Sequence, residues 1–256
     1  MNIIAVIPSR MGSSRFPGKP MKEICGMPMI GHVWHRAKMS KILTEVYVAT
    51  CDVEIKDYIE KIGGKAIMTK DTHERCTDRT AEAVRKIESK NSSKVDIVVM
   101  IQGDEPMLVP SSIDAALAPM IENKLIDVVN LMTELKTQAE CEDPNEVKVV
   151  FDLNSDALYF SREPIPSNKK YKGKIKSYKQ ICIIPFRRDF LFKYEAMAPT
   201  PMEIVESVDM MRILEHGIKV RMVYHELDTY AVDTKEDLAK VESLIKTDSV
   251  LTEYLP

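Results

Sequence analysis

The feature that most constrains this chain is a short run of apolar, mostly β-branched residues at 3–7, which ends at Pro8. Such a run is typical of a strand that is buried on both faces of a parallel sheet. Three cations, Arg10, Arg15 and Lys19, follow within ten residues, among glycines and serines that let backbone N–H groups approach a ligand. Ligands of open α/β sheets bind beyond the carboxyl ends of the strands, so this loop is predicted to bind phosphate groups.

The basic loop lacks the signatures of two large classes of nucleotide-binding protein. No GKS or GKT follows spaced glycines, as a Walker A loop requires, and no GxGxxG is present. A P-loop nucleotidase and a dehydrogenase are therefore disfavoured. The remaining alternative for the segment itself is an ordinary basic surface loop.

The composition excludes further classes of function. A chain of 256 residues fits one large domain, or a domain with a small appendage. A net charge of −3 gives no basic field for nucleic acid, and no apolar run approaches the roughly 18 residues of a membrane-spanning helix. The five cysteines are widely spaced without a CxxC pair, and no charged-then-apolar leader precedes the first strand, so we expect a reduced, cytoplasmic protein.

Strand and helix patterns alternate through the first half of the chain. A helix predicted at 29–39 lies between the first strand and an apolar strand at 45–49. A second helix, predicted at 53–62 with Asp52 as its N-cap, leads to another strand at 65–68. This βαβαβ order predicts a parallel sheet with helices on both faces.

A cluster of polar residues marks the start of the next helix. Thr77 or Asp78 is the predicted N-cap, and Arg75, Cys76 and Arg79 lie beside it. Helix N-termini present free N–H groups and bind anions. The alternative is a cap with two surface arginines.

An apolar strand at 96–102 ends in Gly103 and Asp104. A carboxylate after such a strand is well placed to hold Mg²⁺ that bridges phosphates, because Mg²⁺ takes oxygen ligands and usually only one or two carboxylates. A second apolar pair leads to Asp233 before a helix predicted at 235–245. For the segment around Asp104, the alternative is an ordinary turn.

The pattern changes after residue 134. A hairpin is predicted at 148–151 and 157–160, a lysine-rich exposed loop at 167–178 and a strand at 180–186. A helix at 203–216 would place Glu206, Asp209 and Arg212 on one face.

Six motifs resemble those of one enzyme family. They are IPSRMGSSRFPGKP at 7–20, CTDR at 76–79, QGDEP at 102–106, DPNEVKVVFD at 143–152, ALYFSR at 157–162 and AVDTKEDL at 231–238. In this order they resemble the 3-deoxy-manno-octulosonate cytidylyltransferases, or CMP-Kdo synthetases, of the sugar-acid cytidylyltransferase superfamily. The resemblance implies a single α/β nucleotidyltransferase domain over 1–256, Rossmann-like and GT-A-like, with a mixed, mainly parallel sheet. Residues about 134–200 would form a β-rich subdomain for acceptor binding and homodimer formation.

The resemblance also implies a reaction, in which CTP and a sugar acid give a CMP-sugar and pyrophosphate with Mg²⁺ as cofactor. The implied catalytic residues are Arg10, Arg15, Lys19, Asp104 and Asp233, the last two as metal ligands. The implied nucleotide-binding residues are Pro8, Ser9, Arg10, Lys19, Arg75, Cys76, Thr77 and Gln102. The implied acceptor-binding residues are Arg79, Gln102, Arg162, Gln180 and Glu206.

The sequence departs from the family pattern at four places, one of which is Tyr230-Ala231, where the family typically has a glycine-containing pair. Gln180 stands where the family usually has histidine, Ile184 where it has an aromatic residue, and Cys76 where glycine is common. Since losing a buried hydrogen-bonding partner changes substrate discrimination strongly, the acceptor is either 3-deoxy-manno-octulosonate or another acid, such as an 8-amino-octulosonate, a nonulosonate or a phosphonate-type acid. A non-catalytic nucleotide-binding regulator is the alternative from another class, and one or two metal ions fit the pattern.

Overall fold

The computed structural model describes residues 1–12, 16–171, 173 and 175–255. They form two compact units. The first comprises Met1–Asp114 and Thr229–Pro256, and the second comprises Ala115–Asp228.

The elements are labelled in chain order. The strands are β1 (Ile3–Pro8), β2 (Glu23–Ile24), β3 (Met27–Pro28), β4 (Glu45–Thr50), β5 (Lys65–Met68), β6 (Ile97–Ile101), β7 (Val129–Glu134), β8 (Lys148–Phe151), β9 (Ala157–Ser161), β10 (Tyr178–Ile181), β11 (Ile183–Arg187) and β12 (Arg221–Tyr224). The α-helices are α1 (Met29–Lys38), α2 (Val53–Lys61), α3 (Cys76–Asn91), α4 (Pro110–Glu122), α5 (Gln138–Glu142), α6 (Arg188–Glu195), α7 (Pro201–Glu206), α8 (Asp209–Glu215) and α9 (Lys235–Ile245). Two short 3₁₀ helices are η1 (Lys19–Met21) and η2 (Ser249–Glu253).

The first unit is built on parallel strands in the order β6-β1-β4-β5. Every residue of β1 is buried, as its apolar run predicts. The predicted βαβαβ order and its parallel sheet are therefore confirmed. This order is that of one half of a doubly wound nucleotide-binding sheet, in which ligands bind beyond the carboxyl ends of the strands.

Neighbouring parallel strands bring the two predicted site loops to one edge of this sheet. β1 pairs with β6 in register, Val6 opposite Met100, so the loops after Pro8 and Ile101 leave the same edge. Gly103 permits this approach, because a Cβ there would lie 3.3 Å from Ile7 Cγ2 and 3.4 Å from the Pro8 carbonyl oxygen.

The start of α3 differs from the prediction. The helix begins at Cys76 with Arg75 as its N-cap, so the predicted caps Thr77 and Asp78 are wrong. Thr77 is fully buried, and its hydroxyl donates to Met100 Sδ at 3.8 Å. A side chain that faces the core cannot cap its own helix. The predicted N-cap of α2, Asp52, does hold that position, although its carboxylate accepts from the Met11 N–H at 2.8 Å.

The second unit contains a mixed sheet in the order β12-β7-β10-β8-β9. β12 is parallel to β7, and the other pairs are antiparallel, including the predicted hairpin of β8 and β9. The single strand predicted at 180–186 is wrong, because β10 and β11 are separated at Cys182. At this point the side-chain amide of Asn130 donates to the Ile181 carbonyl at 2.8 Å.

The long helix predicted at 203–216 is also two helices, α7 and α8. Ser207 is left-handed, with φ of 54°, and ends α7. The predicted shared face of Glu206, Asp209 and Arg212 is therefore wrong. Arg212 instead forms a buried, two-pronged ion pair with Glu203, with both N–O distances 2.6 Å.

None of the five cysteines, all of which lie in the described ranges, forms a disulfide. Within the described ranges, the helices lack the length and apolar character that crossing a membrane requires.

Candidate active site

A pocket lined by arginines lies in the first unit, between the end of β1 and the segment that leads into α3. Its lining residues are Pro8, Ser9, Arg10, His73, Glu74, Arg75, Cys76 and Arg79. The structure thus brings together six residues that the sequence predicted for nucleotide or acceptor binding. Three guanidinium groups against one carboxylate give the pocket a positive charge that suits an anionic ligand.

Two of the residues that line this pocket, Ser9 and Arg79, each have one buried polar atom without a hydrogen-bond partner among the described residues. Arg79 is only 3% exposed, and its Nη1 donates to Thr69 Oγ1 at 2.5 Å and to the Lys70 carbonyl at 3.1 Å. Its Nη2, like Ser9 Oγ, has no hydrogen-bond partner within the described residues. Leaving buried donors unsatisfied is unfavourable, so both atoms favour a ligand that brings acceptor oxygens.

Glu82 on α3 holds the segment before the helix in place. Its carboxylate accepts from the Lys70 N–H at 3.0 Å, contacts His73 Nε2 and pairs with Lys86 at 2.7 Å. Burial would raise the pKa of Glu82, but Lys86 and the hydrogen bonds from Lys70 and His73 outweigh it and lower that pKa to about 2. Arg10 Nη1 donates to the His73 carbonyl at 3.4 Å and joins the two sides of the pocket. Neither His73 nor Glu82 was predicted from the sequence, although His73 lies only three residues before the CTDR motif.

Lys19 forms the second feature of the site, together with the two predicted metal ligands. Its Nζ lies 3.1 Å from Asp104 Oδ2 and 3.0 Å from Asp233 Oδ1. Lys19 begins η1, and the preceding Gly18 is left-handed with φ of 71°, a conformation that favours glycine. Burial would lower the pKa of Lys19, but the attraction of the two carboxylates outweighs it and raises that pKa above 10.5.

The two carboxylates have the donor chemistry that a divalent cation requires. They converge on one cationic nitrogen, and the Val232 N–H donates to the Asp104 carbonyl at 2.9 Å, which ties their two segments together. No group of three or more His, Cys, Asp or Glu side chains suited to a metal occurs in the part of the chain that the structure describes. Two carboxylates therefore fit an ion that completes its coordination with water and phosphate oxygens.

The other predicted site residues are distributed as follows. Gln102 directly follows β6 and is half-buried, whereas Arg15 lies outside the described residues. Arg162, Gln180 and Glu206 belong to the second unit.

Arg162 and Glu206 contact each other in the second unit. The Glu206 carboxylate accepts from Tyr159 Oη at 3.1 Å, from Ser161 Oγ at 3.0 Å and from the Arg162 N–H at 2.8 Å. Arg162 donates to the carbonyls of Glu206 at 2.6 Å and Ser207 at 3.3 Å, which caps the C-terminal end of α7. Gln180 lies on β10, and its buried Oε1 has no partner within the described ranges.

The chain is similar to known proteins over most of its length. A model of the cytidylyltransferase family matches residues 4–221. The chain is 40% identical to the 3-deoxy-manno-octulosonate cytidylyltransferase of Geobacter metallireducens, over 94% of this chain and 96% of that protein. It is 42% identical to the enzyme of that name from Syntrophus aciditrophicus, over 95% of this chain and 97% of that protein.

A solved structure shares the fold over nearly the whole chain. It is a CMP:2-keto-3-deoxy-manno-octonic acid synthetase complexed with CTP, with a TM-score of 0.88, 38% identity, and coverage of 96% of this chain and 99% of that one. The predicted nucleotidyltransferase fold and the resemblance carried by the six motifs are confirmed. With its parallel nucleotide-binding sheet, its arginine-lined pocket and these matches, the chain belongs to the cytidylyltransferase family.

Proposed function

We propose that the protein transfers a cytidylyl group from CTP to 3-deoxy-manno-octulosonate, which gives the CMP-sugar and pyrophosphate. Relatives about 40% identical over most of the chain carry the name of this activity, and a similar solved structure is complexed with CTP. The observation that carries the proposal is the arginine-lined pocket beside β1 in the same unit as the Lys19, Asp104 and Asp233 cluster. An anion pocket and a paired-carboxylate cation site are what a nucleoside triphosphate and its metal require.

CTP would be held by residues of the first unit. Arg10 and Lys19, together with Arg15, would contact the triphosphate. Ser9 Oγ and Arg79 Nη2 are buried donors without partners among the described atoms, so they suit the oxygen atoms of an entering ligand. Further contacts are proposed for Pro8, Arg75, Cys76, Thr77 and Gln102.

Mg²⁺ is the proposed cofactor, and Asp104 and Asp233 would hold it. When bound, the ion would neutralise charge on the phosphate oxygens and polarise the reacting groups. Lys19 would then be free to contact the triphosphate. A single pair of carboxylates is compatible with one ion or with two that share phosphate ligands.

The reaction is a displacement at phosphorus. The anomeric hydroxyl oxygen of the acceptor forms a bond to the α-phosphorus and its proton passes to solvent water, while the bond from that phosphorus to the pyrophosphate oxygen breaks. Negative charge grows on the departing pyrophosphate, and the positive charges of Arg10 and Lys19 would stabilise it.

The acceptor would contact Arg79, Gln102, Arg162, Gln180 and Glu206. Gln180 supports this proposal, because its buried Oε1 can accept a hydrogen bond from a sugar hydroxyl or ammonium group. The departures at Gln180 and Ile184 favour a second candidate, in which the acceptor is another acid such as the 8-amino analogue, a nonulosonate or a phosphonate-type acid.

We also propose a homodimer formed through the second unit, with residues about 134–200 as its β-rich subdomain. β9 lies at the edge of the sheet order of this unit, and Leu158 on that strand is 61% exposed. Leu153 in the hairpin turn is fully exposed. An apolar edge strand is a pairing surface, so Leu158→Lys should shift the sedimentation coefficient to that of a monomer, whereas an unchanged value would exclude this surface.

The experiment that tests the function is pyrophosphate release with Mg²⁺, with CTP, UTP, ATP and dTTP crossed against the four classes of acceptor. Release with CTP and 3-deoxy-manno-octulosonate alone would support the main proposal. Release with CTP and only another acid would support the second candidate, and Gln180→His should then broaden acceptor use. Tight CTP binding with no release from any acceptor would favour a non-catalytic regulator.

A further inference from the structure

Helix α1 of the first unit contains a buried arginine that the sequence analysis did not single out. Arg36 is 1% exposed, and its guanidinium contacts three groups from two distant segments. Nη2 donates to Asp248 Oδ2 at 2.6 Å, Nε donates to Tyr254 Oη at 3.1 Å, and Nη1 donates to the Leu108 carbonyl at 3.3 Å. Removing a guanidinium from water is unfavourable, and such a residue is retained only where its geometry is well satisfied.

Both partners on the C-terminal segment are themselves fixed. Asp248 is the N-cap of η2, and its Oδ1 accepts from the Val250 N–H at 3.1 Å. Tyr254 lies 2.7 Å from His32 Nδ1, and the His35 ring stacks on it with centroids 5.1 Å apart. Arg36 therefore holds an ordered segment against α1.

The segments that Arg36 joins are the two that carry the predicted metal ligands. Leu108 is four residues after Asp104, and Asp248 and Tyr254 follow Asp233 along the C-terminal segment. The Val232 N–H donates to the Asp104 carbonyl where the two segments meet. We propose that Arg36 is a positioning residue for the Asp104 and Asp233 pair, an inference that rests on the proposed metal site.

A purely structural role is the competing explanation. The C-terminal segment also docks through an apolar cluster that includes Phe16, Val232, Val241 and Ile245, so it has a second source of stability. Apolar packing tolerates shifts that two carboxylates sharing one ion do not. Loss of Arg36 should therefore weaken metal binding even in variants that remain folded.

The test measures the Mn²⁺ affinity of the enzyme–CTP complex by water proton relaxation, corrected with a titration of CTP alone. Replacement of groups that orient metal ligands typically weakens metal affinity by about 10-fold or more, and we expect this for Arg36→Met. The Mg²⁺ concentration for half-maximal turnover should rise by a similar factor. Arg36→Lys keeps the positive charge but not the planar guanidinium, so it should show an intermediate loss of Mn²⁺ affinity. If Arg36→Met does not fold, Tyr254→Phe, which removes one of the hydrogen-bond partners of Arg36, replaces it in the test.

Arg212→Met is the matched control, because Arg212 is 4% exposed and its ion pair with Glu203 lies in the second unit. It should lose thermal stability without a change in Mn²⁺ affinity. Unchanged Mn²⁺ affinity in folded Arg36 variants, or an equal loss in Arg212→Met, would overturn the positioning role. If the wild type binds no Mn²⁺ beyond that bound by CTP, the proposed metal site itself is wrong.

Discussion

The contact of Lys19 with both carboxylates predicts that this ammonium group competes with a divalent cation for the same site. Lys19→Met removes the charge and keeps most of the side-chain volume. Because the pKa of Lys19 is raised above 10.5, the wild-type ammonium group is present throughout the neutral range. A metal ion that binds the free wild-type protein must displace it, whereas in Lys19→Met it need not.

The size of this competition follows from the hydrogen bonds of Lys19 Nζ to Asp104 at 3.1 Å and to Asp233 at 3.0 Å. A hydrogen bond to a charged group contributes about 1.5–3 kcal/mol. The Asp104 and Asp233 side chains are 25% and 22% exposed, so solvent screening reduces the sum. We take roughly 1.4–3 kcal/mol as the interaction free energy of Lys19 with the two carboxylates, which a metal ion must overcome in the wild type. Without nucleotide, Lys19→Met should therefore bind Mn²⁺ about 10- to 100-fold more tightly.

CTP affinity should change in the opposite direction, because the proposed role of Lys19 includes contact with the triphosphate. Electron paramagnetic resonance of Mn²⁺ and calorimetric titration of CTP measure the two affinities separately. Lys22→Met, which removes an exposed lysine three residues along the chain, should change neither. Mn²⁺ affinity that is unchanged or lower in Lys19→Met would refute the competition.

Three further predictions concern the pocket and the second unit. The pKa of Glu82 is lowered from 4.5 to about 2, so the free energy of unfolding should fall as the pH drops through this range. Urea denaturation at a series of pH values should show a smaller decrease in the free energy of unfolding for Glu82→Gln than for the wild type. CTP should slow alkylation of Cys76, which lines the pocket, but not of Cys141 in the second unit; equal slowing of both, or of neither, would argue against nucleotide binding in this pocket. Glu203→Gln leaves the Arg212 charge buried and should lower the free energy of unfolding by about 3–5 kcal/mol, and a urea midpoint close to that of the wild type would contradict this.

Local patterns predicted much of the first unit. β5 and α9 have the bounds expected from their sequences, and β1 is buried throughout. Hydrophobic periodicity succeeds here because each element buries a face that its own residues define. The pattern failed where a contact from elsewhere ends an element, as at Cys182 and Ser207, since neither position is marked by glycine or proline.

The sequence alone determined the fold class and the residue types available for chemistry. The alternation of strands and helices, the basic loop and the single carboxylates after apolar strands can all be recognised from short stretches of sequence. Tertiary structure alone decided which charges meet. Lys19 contacts carboxylates 85 and 214 positions away, and Arg36 contacts groups 72 and 212 positions away. The energy of an ion pair depends on distance and burial, which only packing sets, so no periodicity in the sequence marks these partners.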